Sequence, residues 1–429
     1  MMFKKSFSTE IGRTNPDFIV HVPKNIEKGD DCGNEHFLVF DMKYGTLGAV
    51  WTQSSFEGRA DQRIVFSRSF NGGITWQTAR TIAGGKSDPK TGSGMCSWGF
   101  PILTASGRIY VFYNKHIGVN DIFCHTTGLM GCIYSVDNGV SWSEETIIPM
   151  PHDKWDNPDD KVPANWIVWQ RPLDLGDGRH LAGFTHWVSP KVRPPAPLKA
   201  WWSEEAVIQF MRFENINDDP EPRNLSISRL ASGDAALRAP ILGYPHVSCA
   251  QEPSLVHLPD GGIFCSMRTA TGSPCFSVSR DRGETWTKPE ILRYKDGGVP
   301  LMHPVSPCPI YQIGTGEYVL TFHNHDGHFG KWGPAETTFH RRPIWFARGE
   351  FRKDAKQPVW FSDPLLLMDN DGIPLNNIDG SPGRTDLAMY ASLTISSGEP
   401  ILWYPERKFF LLGKKIWRER LEIMEVDKK

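Results

Sequence analysis

The sequence of 429 residues contains no run of about 18 apolar residues, so we expect no membrane-spanning helix. Residues 1–18 carry basic side chains but lack the apolar core of a secretory signal, and we expect a cytoplasmic protein. Export is the alternative if a leader has been removed. The net charge of −2 gives no positive field that would attract nucleic acid or an anionic membrane, and we expect neither as a partner.

Motifs of many cofactor and metal enzymes are also missing. The eight cysteines form no CxxC pair, and the sequence has no GxGxxG, phosphate-binding loop, GxSxG or HExxH motif. We therefore expect no cofactor, and we interpret the cysteines as small buried apolar residues. Cys265 and Cys275 flank a predicted hairpin and could form a disulfide in an oxidising compartment.

Long stretches with helical periodicity are scarce, whereas turn residues are abundant. The 40 Gly and 33 Pro separate many short apolar runs, a pattern typical of short strands and tight turns. Aromatic residues make up 12% of the chain, including 16 Trp, which suits a β-rich core or a sugar-binding surface. The composition therefore predicts an all-β protein.

One short motif occurs three times. The pattern S-x-[DN]-x-G-x-[ST]-W fits "SFNGGITW" at 69–76, "SVDNGVSW" at 135–142 and "SRDRGETW" at 279–286. The first two copies start 66 residues apart and the second and third 144 apart, so a unit of about 70 residues repeats with one degenerate copy. A chain of this length holds six such units.

A second repeat precedes the motif in each unit: an apolar strand, a glycine turn and another apolar strand that ends in polar residues. These hairpins are predicted at 36–53, 100–116, 171–186, 252–268, 306–325 and 389–407. Six such sheets predict a single six-bladed β-propeller over 1–429, whose ring closure protects the sheet edges. The predicted blades are 30–90, 91–160, 161–245, 246–300, 301–375 and 376–429, with a strand at about 17–23 helping to close the ring.

In a propeller, the start of each first strand and the end of each second strand face the same mouth of the central channel. The ionisable or aromatic residues predicted at this mouth are Arg171, Glu252 and Tyr390 from first strands, and His116, His186, Arg268, His323, His325, Tyr404 and Glu406 from second strands. The three motif turns belong to the opposite end. We interpret Asp281 as structural, because a side chain that bonds its own turn stabilises the fold.

The three runs resemble the Asp-box of sialidases and other BNR-repeat proteins. The resemblance extends over nearly the whole chain, through "QEPSLVHLPDGGIFCSMRT" (251–269), "RRPIWFA" (341–347) and the segment from "MYASLTI" to "GEPILWYPERK" (389–408). It implies a six-bladed propeller and an exo-acting glycosidase for a terminal acidic or modified sugar, with carbohydrate as the partner.

The resemblance also implies a set of catalytic residues. Tyr390 matches the nucleophilic tyrosine, and Glu252 matches the glutamate that makes it more basic. Asp61 lies before the first Asp-box, where the acid/base residue of the family often sits, with Glu57 as the alternative.

A cluster of arginines that holds the sugar carboxylate is implied as well. Arg268 and Arg342 match two members of this clamp, with Arg341 as the register alternative to Arg342. His21 stands where the family has its first clamp arginine, so the third arm is missing unless Arg171 supplies it. This departure argues against cleavage of sialic acid itself.

Histidines are abundant at the predicted mouth, and three hypotheses account for them. His116, His186, His323 and His325 bind sugar hydroxyls in the hypothesis that we favour, and Glu406 lies where the family commonly has a supporting glutamate that binds the substrate region. In the second, the site is a uronate lyase in which arginine neutralises the carboxylate and a histidine or Tyr390 removes the proton. In the third, His323, His325 and Asp326 bind a metal ion, although no fourth ligand is evident.

Two further expectations remain open. The long segment 189–205, rich in Pro and Trp, is predicted to overhang the mouth or to pack as a surface loop. The whole molecule could also be a glycan-binding propeller without catalysis, since a fold does not determine a function.

Overall fold

A computed structural model describes residues 7–24, 28–375, 383–387 and 390–426. The first part of the chain forms β1 (Phe18–His21), β2 (Gly33–Asp41), β3 (Leu47–Ser54), β4 (Arg63–Ser69), β5 (Arg80–Ala83), β6 (Cys96–Leu103), β7 (Ile109–Lys115), β8 (Leu129–Ser135), β9 (Thr146–Ile148), β10 (Asn165–Ile167), β11 (Leu173–Asp174), β12 (His180–Trp187), β13 (Ala206–Phe213) and β14 (Ile227–Leu230). The second part forms β15 (Pro240–Ile241), β16 (Tyr244–Ser248), β17 (Gln251–His257), β18 (Ile263–Arg268), β19 (Cys275–Ser279), β20 (Glu290–Ile291), β21 (Ile310–Gly314), β22 (Glu317–Phe322), β23 (Ile344–Phe351), β24 (Val359–Phe361), β25 (Leu365–Met368), β26 (Ser392–Ser396), β27 (Glu399–Glu406) and β28 (Phe410–Lys415).

The strands of the described chain form six antiparallel sheets of four or five strands, which confirms the predicted six-bladed propeller. The sheets are β2–β5, β6–β9, β10–β14, β17–β20, β21–β25, and β26–β28 together with β1. In the last sheet β1 pairs with β28, so the N-terminal segment supplies its outermost strand. A separate pair, β15 and β16, lies between the third and fourth blades along the chain.

The core of the protein lies between neighbouring blades. Successive residues of a strand point to opposite faces of the sheet, so each blade packs on both of its neighbours. In β3, Ala49 and Trp51 pack with the sixth-blade residues Trp403 and Leu411, whereas Val50 packs towards the second blade. This arrangement explains why the strands are apolar on both faces.

Helices are few and short in the described chain. They are α1 (Ser8–Ile11), α2 (Thr337–His340) and α3 (Arg418–Glu422), with single 3-10 turns at Gly12–Thr14, Lys43–Gly45, Trp201–Ser203, Ile216–Asp218, Pro222–Asn224 and Gly233–Ala235. None of the helices in the described ranges is long and apolar enough to cross a membrane.

The motif turns join the third strand of a blade to the fourth. In the copy at 279–286, Asp281 accepts hydrogen bonds from the Thr285 N–H at 2.9 Å and from the Ser279 hydroxyl at 2.8 Å. Gly283 has φ of +89° and a Cβ there would lie 2.8 Å from Leu181 of the preceding blade, so the turn requires glycine. Trp286 stacks on Phe210 of that blade with ring centroids 4.2 Å apart. The motif thus fastens one blade to the next.

Candidate active site

Four inner strands have a residue in the left-handed backbone region close to their start. These residues are His36, Trp98, Glu252 and Tyr390, with φ between 51° and 57°. At His36, Trp98 and Glu252, a β-bulge interrupts the hydrogen-bond pairing of the strand with its neighbour. Such a conformation costs energy in residues other than glycine and persists where neighbours fix it; the Glu252 N–H, for example, donates to Thr185 Oγ1 at 2.7 Å. Three of the four side chains meet in one cavity.

This cavity has a volume of about 240 Å³ and lies at the mouth formed by the strand starts. Its lining combines aromatic rings, carboxylates and cations: Glu57, Trp98, Phe123, His125, Thr126, Ile167, Trp187, Trp201, Glu252, Arg268, Thr337, Thr338, Arg341, Arg384, Asp386, Tyr390 and Lys408. The volume is below the range of about 300–1,000 Å³ typical of ligand pockets, so the cavity suits a single small ring.

Tyr390, Glu252 and Arg268 form a buried triad in this cavity. The Tyr390 hydroxyl donates to Glu252 Oε1 at 2.9 Å, and Arg268 Nη1 lies 2.7 Å from the same oxygen and 3.5 Å from the hydroxyl. Arg268 is held in turn by Gln251, which accepts from Nε at 2.9 Å and from Nη2. The sequence therefore placed these three side chains together, and their catalytic roles stay predictions.

The electrostatics of the triad follow from its burial. Burial raises the pKa of Glu252 above its usual range, and Arg268 opposes the shift. Burial and the adjacent Glu252 carboxylate hold the pKa of Tyr390 well above its usual value. Glu252 Oε2 and Asp386 Oδ1 are buried and accept no hydrogen bond from a described residue. The cavity thus offers a tyrosine hydroxyl beside a base, together with two free acceptors.

Arg341 faces the triad from the loop after α2. Its Nε and Nη2 donate to the Val305 carbonyl at 3.0 and 2.6 Å, whereas Nη1 bonds no described residue. The Trp201 ring covers both guanidinium groups, with its centroid 4.6 Å from Arg268 Cζ and 5.5 Å from Arg341 Cζ. The Trp201 indole N–H donates to Thr337 Oγ1 at 3.2 Å. Part of the segment 189–205 therefore does overhang the cavity.

A second charged group lies on the other side of the cavity around Glu57. Its Oε2 accepts from Lys408 Nζ at 2.5 Å and from Arg384 Nη1 at 3.1 Å. Although burial acts to raise it, these two cations hold the pKa of Glu57 well below its usual value. Lys408 also bonds the buried Glu35 at 3.1 Å. Glu57 is thus an ionised carboxylate with both nearby cations engaged.

Asp61 and Arg342 lie outside the cavity. The alternatives named for them, Glu57 and Arg341, line the cavity wall. Asp61 accepts from the Ser55 N–H at 2.8 Å and from its hydroxyl at 3.1 Å, so its carboxylate closes a local turn, while Glu57 faces the cavity. Arg342 Nε donates to Asp369 at 2.8 Å, away from the triad, while Arg341 faces it. A tight bend at Arg341, closed by the hydrogen bond from the Arg342 N–H to the His340 carbonyl at 2.7 Å, separates the directions of the two side chains.

Arg171 and His21, named for the third arm of the clamp, also lie elsewhere. The inner strand of the third blade begins at Asn165, earlier than the predicted start, so Arg171 lines the channel end away from Tyr390. His21 lies in the outermost strand β1, where its Nε2 is 3.3 Å from Gln53 Nε2. The third arginine of the cavity is Arg384 instead.

The predicted histidines support the walls of the mouth and do not line the cavity. His116 Nδ1 lies 2.8 Å from the Thr127 carbonyl, and His186 Nε2 lies 2.8 Å from Asp156. His323 bonds the Pro343 carbonyl through Nδ1 at 3.0 Å. His325 bonds the His340 carbonyl through Nε2 at 2.9 Å. These rings are committed to the protein, which argues against the sugar-binding role predicted for them.

Glu406 likewise lies behind the cavity wall. It pairs with the buried Arg407 at 2.7 Å and accepts from Asn370 Nδ2 at 2.9 Å. The Tyr404 hydroxyl forms a hydrogen bond of 2.6 Å with the Thr14 hydroxyl, and either oxygen can be the donor.

The predicted metal site is not present among the described residues. In the part of the chain that the structure describes, no three His, Cys, Asp or Glu side chains are grouped as a metal site requires, and His323, His325 and Asp326 form no such group. The eight cysteines are free, including Cys265 and Cys275.

The cavity residues that were not anticipated include Trp98, His125, Arg384, Asp386 and Lys408. Lys408 lies in the turn between β27 and β28 with φ of 49°, so strand alternation does not determine its direction. His125 lies in the long connection between β7 and β8, and long connections at a mouth are a signal for function. We find no local signal for Arg384.

The model of the BNR repeat-like domain matches residues 45–399. The chain belongs to this family. No curated protein matches the sequence.

Solved structures of sialidases share the fold of this BNR-repeat protein. The Hadza microbial sialidase Hz136 is 16% identical, with a TM-score of 0.60 over 91% of this chain and 67% of that one. A leech intramolecular trans-sialidase, complexed with 2,7-anhydro-Neu5Ac, is 12% identical, with a TM-score of 0.60 over 95% and 71%. A Dyadobacter fermentans protein of unknown function is 13% identical, with a TM-score of 0.60 over 94% and 97%. At these identities the likeness establishes the sialidase-like fold.

Proposed function

We propose that this BNR-repeat protein is an exo-acting glycoside hydrolase that removes a terminal acidic or modified sugar. The observation that supports the proposal most is the triad of Tyr390, Glu252 and Arg268 in a small cavity with Arg341 nearby. A cavity of about 240 Å³ has room for one sugar ring, which suits the end of a glycan.

Tyr390 is proposed as the nucleophile. A neutral tyrosine is a weak nucleophile, and the Glu252 carboxylate, which already accepts its hydrogen bond at 2.9 Å, can take the proton during attack on the anomeric carbon. Arg268 lies close to both oxygens and stabilises the charge that develops on them. Tyrosine nucleophiles are known in sialidases, which depart from the usual two-carboxylate arrangement.

Arg341 and Arg384 are proposed to bind the acidic group of the sugar. Guanidinium groups recognise carboxylates through paired hydrogen bonds. Arg341 lines the cavity and is fixed by the Val305 carbonyl through two nitrogens, while its Nη1 bonds no described residue. This set differs from the arginines predicted from the sequence, because Arg341 and Arg384 replace Arg342 and Arg171.

A uronate lyase is the second candidate, because the cavity also contains an imidazole. His125 lines the cavity and its ring nitrogens bond no described residue, so it could remove a proton beside a carboxylate held by the arginines. Elimination leaves an unsaturated uronate with strong ultraviolet absorbance, whereas hydrolysis leaves a saturated sugar.

The test compares the unaltered protein with the Tyr390→Phe variant on 4-methylumbelliferyl glycosides of acidic sugars. Because phenylalanine lacks the attacking oxygen, we expect kcat/KM to fall by at least about 10³-fold. Undiminished turnover in the variant contradicts the tyrosine mechanism. Formation of an unsaturated product supports the lyase, and glycan binding without any product supports a binding propeller.

A further inference from the structure

The proposed nucleophile requires a partner that gives a proton to the departing oxygen, and Glu57 is unsuited to this task. Lys408 and Arg384 contact the same Glu57 oxygen at 2.5 and 3.1 Å. A carboxylate held by two cations stays ionised and has no proton to give. Asp61 does not line the cavity, and Ser55 holds its carboxylate in a local turn.

His125 is the imidazole in the cavity wall. Its half-buried ring is held by aromatic neighbours, with centroids 5.7 Å from Phe123 and 6.4 Å from Trp98. Neither ring nitrogen bonds a described residue, whereas the rings of His116, His186, His323 and His325 are engaged. An imidazole fixed by stacking and with both nitrogens available is equipped for proton transfer.

His125 and Tyr390 border the same aromatic ring of the cavity. The Trp98 ring centroid lies 5.2 Å from that of Tyr390, in an edge-on arrangement, and 6.4 Å from that of His125. Both residues line the cavity of about 240 Å³, so a sugar ring bound there lies close to the Tyr390 hydroxyl and to the His125 imidazole. Nucleophilic attack and protonation of the leaving oxygen need two separate groups, and the cavity wall contains both.

The charges around His125 adjust its protonation. Burial lowers the pKa of His125, Glu57 opposes the shift, and Lys408 and His116 add to it. The imidazole is therefore mainly neutral at pH 7 and gains its proton on the acid side of neutrality. A donor of this kind gives activity that declines as the pH rises above the pKa of the group.

We propose that His125 is the proton-transfer residue of this cavity, in place of a carboxylic acid. The inference rests on the proposed function. In the first step, the Tyr390 oxygen bonds the anomeric carbon while its proton passes to Glu252, and the bond to the leaving oxygen breaks as the His125 imidazolium protonates that oxygen. In the second step, a water oxygen bonds the same carbon and gives a proton to neutral His125, while the bond to Tyr390 breaks and Glu252 returns its proton.

The test compares leaving groups in the His125→Asn variant. The probes are 4-methylumbelliferyl and methyl glycosides of N-acetylneuraminic acid and of glucuronic acid. A methoxide leaving group needs a proton, whereas the aryl leaving group departs with little help. We therefore expect kcat/KM to fall by about 10²- to 10⁴-fold for the methyl glycoside and by less than about tenfold for the aryl glycoside. The decline of activity with rising pH should also disappear.

The matched control is His328→Asn, because His328 is exposed and lies outside the cavity wall. It should leave both rates and the pH profile unchanged. A second variant, His125→Gln, and thermal melting of each protein separate a loss of chemistry from a loss of fold.

The outcomes separate this inference from the proposed function. The assignment of His125 applies to a protein whose turnover depends on Tyr390. It is overturned if His125→Asn lowers kcat/KM equally for the methyl and aryl glycosides, or if it leaves both rates unchanged. Turnover that survives Tyr390→Phe overturns the proposed function itself. If the unaltered protein turns over none of the probes, both are overturned.

Discussion

Carboxylates at the two ends of the propeller are held in different ways. At the turn end, Asp137 and Asp281 accept hydrogen bonds from the hydroxyl and amide groups of their own turns. Although burial opposes it, these bonds lower the pKa of Asp137 to about 2. At the cavity end, Glu252 Oε2 and Asp386 Oδ1 are buried and receive no hydrogen bond from the described chain.

The difference shows which end serves the fold and which is available for a ligand. A carboxylate satisfied by its own turn stabilises that turn and needs nothing else. A buried oxygen without a donor destabilises the free protein, and such groups are concentrated at functional sites. The cavity contains such oxygens beside guanidinium groups, so its residues are arranged for binding at some expense of stability.

The largest effect should distinguish two adjacent arginines. Arg341→Gln removes a buried cation from the cavity, and we expect a loss of about 2–4 kcal/mol in transition-state binding, or roughly 30- to 1,000-fold in kcat/KM. Arg342→Gln removes a cation that pairs with Asp369 outside the cavity and should change kcat/KM less than about threefold. Steady-state kinetics on one acidic glycoside measure kcat/KM for both variants. Equal losses of kcat/KM in the two would show that Arg341 does not bind the acidic group.

A smaller effect is expected for the two candidate acids. Glu57→Gln leaves Lys408 and Arg384 without their shared carboxylate, and we expect kcat/KM to fall by roughly 10- to 100-fold. Asp61→Asn alters only the turn at Ser55 and should cost stability of about 1 kcal/mol, with kcat retained. If kcat falls with Asp61→Asn while the melting temperature does not, the carboxylate of Asp61 takes part in the reaction after all.

At the turn end, we expect a substitution to reduce stability and to leave activity unchanged. Asp281→Ala removes the acceptor for the Ser279 and Thr285 hydrogen bonds, and we expect a loss of about 1–2 kcal/mol in the free energy of unfolding. Activity per folded molecule should be unchanged, because the turn lies at the other end of the blade. Denaturant unfolding and an active-site titration measure the two quantities. A lower kcat in fully folded protein would contradict the separation of the two ends.

The smallest effect concerns pH, because buried histidines are concentrated at the cavity end. Burial lowers the pKa of His303 to about 3 and that of His340 to about 4, against 6.5 for the ordinary side chain. The unfolded chain therefore binds more protons, and stability should be lost as the pH falls below about 6.5. His303→Gln should flatten this decline in urea melts between pH 6.5 and 4, whereas His328→Asn should not. An unchanged slope in the first variant would exclude His303 as a source.

Much of the fold could be predicted from the sequence because its signals are local. The motif at 279–286 combines a hydroxyl, a carboxylate and a glycine whose positive φ the turn requires, so each copy marks the end of a hairpin. The spacing of the copies then gives the number of blades. The broken inner strand of the third blade, with β10 at Asn165–Ile167 and β11 at Leu173–Asp174, has no such marker. Arg171 was placed at the wrong end of the channel for that reason.

The site could be predicted only where strand register determines a side-chain direction. Arg268 pairs with Gln251 across β17 and β18, and Glu252 follows Gln251 in the bulge, so both charged residues were correctly placed at the same end of the two strands. Arg341 and Arg384 lie in loops, where the contacts of the folded chain set the direction of each side chain. His125 shows the same limit, because Phe123 and Trp98 hold its ring and no periodicity indicates them.

The most direct test of the central claim is to trap the proposed covalent intermediate. A fluorinated acidic sugar with a good leaving group should react with the protein and add the mass of one sugar, and peptide mapping by mass spectrometry should place it on Tyr390. Glu252→Gln should slow the labelling, because the hydroxyl loses the carboxylate that accepts its proton. Suppose that the protein hydrolyses the matching aryl glycoside but carries the sugar on another residue, or on none. That result would contradict the role of Tyr390 as the nucleophile.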